Sequence, residues 1–176
     1  MPEQYQDLIR IFNYTFSSSM NTRLIKGGDE PLYSPANEAC EYHQIIFAHG
    51  FFSSALHEIS HWCLAGTNRR LKEDFGYWYT PDGRDESQQR EFEQVEIKPQ
   101  AIEWALSVSA GKSFDVSVDN LTGTGHTDRI VFKKAVYQQV MHYLNSGFPD
   151  DAEKFIIALA EFYNTPLPLT RARFVL

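Results

Sequence analysis

Between Tyr5 and Phe16 the apolar side chains Tyr5, Leu8, Ile9, Phe12 and Phe16 recur every three or four residues, the spacing that lines one face of an α-helix. Pro2 and Glu3 suit its first turn, where a missing N–H costs nothing. Thr22 to Ile25 is a short strand candidate, and the Gly and Pro signals behind it predict an extended, irregular course. "YHQIIFAHG" has the apolar run of a buried strand that stops at Gly50. From Phe51 or Ser53 to Ala65 the helical period returns through Leu56, Ile59, Cys63 and Leu64, with Gly66 placed to end the helix in a left-handed cap.

Farther on, "DFGYWYTPDGRDESQQREFEQVEIKPQAIEWALSVSAG" predicts a strand, a turn at Pro81, Asp82 and Gly83, then a long helix opened by a capping box of Asp85 and Gln88. Pro99 cannot donate to the carbonyl of Val95, so a kink or restart is expected there. "SFDVSVDNLTG" alternates like a strand. "HTDRIVFKKAVYQQVMHYLNSG" predicts a helix capped by Asp128 and stopped at Gly147, and "DDAEKFIIALAEFYNTP" another, ended by Thr165 and Pro166. Four or five helices and three to five short strands make the class α+β, with a small, largely antiparallel sheet. There is no repeat and no long linker, so residues 1–176 are expected to form a single domain.

Composition narrows the function classes. A chain of 176 residues with 43% hydrophobic and 14% aromatic content can bury a core without disulfides or a structural metal. Cys40 and Cys63 are therefore expected as core thiols. No apolar run reaches the roughly 18 to 20 residues needed to span a bilayer, and "MPEQYQDLIRIF" lacks the marks of a signal peptide, so a cytoplasmic protein without a membrane partner is expected. The net charge of −7 argues against nucleic acid as a partner and suits a cationic ligand.

The chemistry concentrates in "SALHEISHWCLAG", residues 54–66. Residues four apart share a helix face, so His57 and His61 can both aim an imidazole nitrogen at one metal ion. Glu58 points off that line, where such a residue takes a proton from metal-bound water. A catalytic centre needs one more protein donor, and Glu91, Glu93, Glu96 and Glu103 are available downstream. Glu91 and Glu93 fall on the solvated side. Glu96, Gln100 and Glu103 share a face across Pro99, and Glu96, flanked by Val95 and Ile97, is the best third ligand.

Two histidines and one carboxylate fit zinc and hydrolysis, or iron(II) and oxygenation, and spacing does not choose between them. Around this group, His49, Asp82, Asp85 and Glu103 are candidates for contact with substrate. Tyr77, Trp78 and Tyr79 beside Asp82, Arg84 and Asp85 could wall a cleft for a cationic side chain. His126 and His142 fit solvent or core roles.

Four strings, "NTRLIKGGDEPLY", "IIFAHGFFSSALHEISHWCLAG", "DFGYWYTPDGRDE" and "FEQVEIKPQAIEWA", together resemble the bacterial elongation factor P hydroxylases. The resemblance runs from about Asn21 past Asn120 and less distinctly to Pro166, leaving "LTRARFVL" outside it. It implies a zincin-like arrangement of helices and a non-haem monooxygenase acting on β-lysylated elongation factor P. It implies His57, His61 and Glu96 as ligands of iron(II), with zinc able to substitute and dioxygen as cosubstrate. Two alternatives stand beside it: a zinc metallopeptidase with Glu58 as general base, and a non-catalytic zincin-like binding module.

Overall fold

The computed structural model describes residues 4–74, 83–118 and 128–176. Helix α1, Tyr5–Met20, buries Tyr5, Leu8, Ile11, Phe12 and Phe16 along the predicted face. Pro2 and Glu3 lie outside the described residues, as do His126, the Tyr77–Tyr79 aromatics and the Pro81–Asp82 half of the predicted turn.

Three strands follow: β1 (Thr22–Lys26), β2 (Leu32–Ser34) and β3 (His43–Phe47). Strand β3 occupies the middle, parallel to β1 over five residue pairs and antiparallel to β2 over three. The sheet is thus mixed rather than largely antiparallel. Residues 27–42 are long enough to carry the chain back to its starting end, which a parallel pairing requires, and β2 is made on the way. Gly27 permits the close approach of this excursion, since a Cβ there would lie 2.4 Å from Ile46 Cγ2.

His49 (φ +59°) and Gly50 (φ +67°) form a left-handed reversal between β3 and α2, Phe52–Leu64. Helix α2 does not end in a glycine cap. Ala65 turns extended, its N–H donates to the carbonyls of His61 and Trp62, and the Arg70 guanidinium donates to Trp62 O at 2.8 Å. With these carbonyls already covered, Gly66 has no capping task.

Helix α3, Glu86–Ser109, opens with the expected capping box: Gln88 N donates to Asp85 Oδ1 at 2.8 Å and Asp85 N to Gln88 Oε1 at 3.0 Å. It runs through Pro99 without restarting. An interior proline costs about 3 kcal/mol, but every residue from Pro99 to Ala110 is buried, and α3 packs on α2, α4 (Arg129–Ser146) and α5 (Asp150–Tyr163). Burial on all sides outweighs one lost hydrogen bond.

Residues 113–118 are not a strand, contrary to their alternating pattern. Part of the backbone demand there is met by a side chain: Ser117 N donates to Gln100 Oε1, and Ser117 O accepts from Gln100 Nε2. Asp128 caps α4 by accepting from the N–H groups of Ile130 and Val131, and Gly147 follows it at φ +96°. Left-handed Asn164 caps α5, one residue before the predicted Thr165–Pro166 stop.

Phe12, Phe16, Trp62 and Phe155 interlock at the centre of the core with ring centroids 4.9 to 6.1 Å apart. Both cysteines are free thiols, but only Cys63 joins the core; Cys40 is half-buried. No helix among the described residues is long and apolar enough to cross a membrane.

Candidate metal centre

One turn separates His57 from His61 on α2, and both face α3 at Glu96. His61 Nε2 lies 2.9 Å from Glu96 Oε1, and His57 Nε2 lies 3.9 Å from Glu96 Oε2. One donor atom from each residue falls within 4.8 Å of the others, a group that could hold a metal ion. Glu96 is fully buried, whereas about a quarter of each imidazole is exposed (27% and 26%), so the cluster is closed on the carboxylate side and open on the histidine side. Two neutral nitrogens and a carboxylate oxygen suit a divalent transition metal and leave coordination positions free.

The donors are held from behind. Glu103 Oε2 lies 2.9 Å from His57 Nδ1, and Gln100 Nε2 donates to Glu96 Oε2 at 3.2 Å while bonding Ser117 O at 2.8 Å. One turn before Glu96, Glu93 departs from the expected solvated position. Its Oε1 is buried without a hydrogen-bond partner among the described residues, whereas Glu91 is exposed.

Proximity of opposite charges dominates the protonation. Burial alone lowers the His57 pKa, but the carboxylates of Glu96, Glu103 and Glu58 outweigh it and hold the imidazolium up to about 10. Burial raises the Glu96 pKa, yet the two histidines and the Gln100 hydrogen bond bring it down to about 2. For Glu58 burial prevails over the histidines and its pKa is raised. Without metal, a proton on His57 therefore partly neutralises the carboxylates.

A pocket of about 220 Å³ adjoins the open side. Leu32, Tyr33, Ile45, Val95 and Pro99 supply apolar wall, and His61 and Glu58 reach it from the metal group. Glu58 makes no hydrogen bond or ion pair with the described residues. Of the other charged lining groups, Arg69 pairs with Asp74 at 2.7 Å and Arg70 with Asp151 of α5 at 2.9 Å. Arg70 also stacks 3.9 Å over the Trp62 ring, and its carbonyl accepts from Tyr33 Oη at 2.8 Å.

A family model described as elongation factor P hydroxylase matches residues 11–174. The chain belongs to the elongation factor P hydroxylase family. It is 53% identical over 174 residues to a curated Haemophilus influenzae protein, the elongation factor P lysine hydroxylase, covering 99% of this chain and 97% of that one.

For a hydroxylase of this family the placement of the other candidates is informative. Glu103, a candidate for substrate contact, stands behind His57. His49 is exposed in the β3–α2 reversal, with Nδ1 3.8 Å from Asp29 Oδ1, and is not brought to the metal group or the pocket. Asp85 caps α3, and Asp82 lies outside the described residues. His142 is exposed on α4. The pocket walls Tyr33, Arg69, Arg70 and Asp74 went unmarked in the sequence, because they come from separate, irregular stretches with no shared spacing.

Proposed function

We propose that this chain hydroxylates the β-lysylated lysine of elongation factor P at a metal centre formed by His57, His61 and Glu96. The observation that carries the proposal is the grouping of these three donors beside a largely apolar pocket that His61 and Glu58 line. The α2–α3 pair is then a zincin-like arrangement turned from hydrolysis to oxygen chemistry, acting on a translation factor in the cytoplasm.

The donor set fits iron(II), and zinc can occupy the same ligands. Bound there, iron supplies the activation of dioxygen. The chain's own residues do the rest. His57 and His61 present neutral nitrogens once the proton held on His57 has left. Glu96, buried and hydrogen-bonded by Gln100, stays ionised and keeps its oxygen toward the histidines. Leu32, Ile45, Val95 and Pro99 exclude water from the methylenes of a lysyl chain. Glu58, beside both histidines, orients a ligand or moves protons rather than activating a hydrolytic water. Insertion of one oxygen atom into a C–H bond sends the other to water and draws two electrons from an external reductant and two protons from solvent.

Protein loaded with iron(II) and given a reductant is expected to add about 16 Da, one oxygen atom, to β-lysylated elongation factor P, as read by intact mass. The unmodified factor should gain nothing. No mass gain with any metal or reductant overturns the proposal, and peptide cleavage with zinc that Glu58→Gln abolishes would replace it with the hydrolase.

A further inference from the structure

We infer that Glu103 is the positioning residue of the metal centre: by accepting the Nδ1–H of His57 it fixes the imidazole tautomer and turns Nε2 toward the other two donors. The inference rests on the proposed metal centre and goes beyond its three ligands.

An imidazole can carry its single proton on either nitrogen, and only the bare nitrogen can bind a metal. His57 Nδ1 lies 2.9 Å from Glu103 Oε2, while Nε2 on the far side of the ring faces Glu96. Glu103 is itself 8% exposed, so little water competes for this contact. It comes from α3 two turns beyond Glu96, so one rigid helix carries both the carboxylate that ligates and the carboxylate that aims a ligand. Gln100 between them tethers Glu96 in the same manner. Among the described residues His61 has no equivalent support, pairing with Glu96 alone. The centre is therefore asymmetric: His57 is anchored from behind, and His61 faces the pocket.

The experiment compares metal-free wild type, Glu103→Ala and Glu103→Gln by competition titration with zinc(II), alongside nitrogen-15 NMR of labelled histidine in the zinc-loaded proteins. Loss of such a supporting carboxylate is expected to weaken zinc binding by about 10- to 100-fold. Glu103→Gln should fall between wild type and Glu103→Ala, because an amide oxygen still accepts but carries no charge. In wild type the His57 signals should show a protonated Nδ1 and a metal-bound Nε2, and in Glu103→Ala the Nδ1 proton should lose its protection from exchange. If Glu103→Ala fails to fold, Glu103→Gln carries the comparison on its own. Unchanged zinc affinity and tautomer in the folded Glu103 variants would overturn this inference while leaving the metal centre standing. Wild type that takes up no divalent metal would overturn the centre itself.

Discussion

Behind His57 and Glu96, toward the second half of α3, polar contacts are short and reciprocal: 2.9 Å from Glu103 to His57, 3.2 Å from Gln100 to Glu96, and two further bonds from Gln100 to the Ser117 backbone. In front, Leu32, Ile45, Val95 and Pro99 present apolar surface, and Glu58 makes no hydrogen bond or ion pair with the described residues. The contrast separates two tasks. On the proposed function, the back fixes donor atoms whose placement tolerates little error, while the mouth leaves room for a chain that must enter, react and leave.

The heaviest blow to the boundary between them is His61→Ala, which removes the donor shared by both regions. Metal analysis after gel filtration should find less than stoichiometric metal, and no hydroxylated product should form, while the metal-free protein melts at a lower temperature because buried Glu96 loses its 2.9 Å partner. Next in size, Ala65→Trp places an indole at the pocket wall. Hydroxylation should fall by about 100-fold, the order expected when a substrate is misplaced, with metal content unchanged. A parallel loss of metal would show that back and mouth are not separable.

The smallest effect is graded by pH and belongs to the back alone. Metal must displace the proton that His57 holds up to about 10, so apparent affinity should rise about tenfold per unit as pH climbs toward that value. The metal-free protein should respond differently. Glu96, lowered from 4.5 to about 2, contributes stability that is present above pH 4.5 and is lost as pH falls through 2. His57, raised from 6.5 to about 10, contributes stability that is full below pH 6.5 and is lost as pH rises through 10. Melting temperatures in chelator should therefore show both contributions intact between pH 4.5 and 6.5. A monotonic rise from pH 6.5 to 10 would contradict the assigned pairing.

Much of the back was legible in the chain because it obeys one period. His57 and His61 are four apart, and Glu96, Gln100 and Glu103 remain on a common face because α3 continues through Pro99. What the period does not contain is which histidine meets which carboxylate. That depends on how α2 lies across α3: Glu103, a candidate for substrate contact in the sequence, has its carboxylate 2.9 Å from His57. The same dependence on distant pairing hid the parallel β1–β3 ladder and the fate of residues 113–118, whose alternation is strand-like but whose Ser117 backbone bonds to Gln100. The mouth was nearly illegible, since Tyr33, Trp62, Arg70 and Asp74 meet only after folding.

Arg70 holds the α2 carbonyl of Trp62, the face of the Trp62 ring and Asp151 on α5 with one guanidinium. It acts as a strut between the pocket wall and a helix that supplies none of the three metal donors. The bore of the pocket is thereby set in part by the seating of α5. If the pocket takes the substrate as proposed, its fit can be retuned by small shifts in that remote packing, without altering a single residue that lines it.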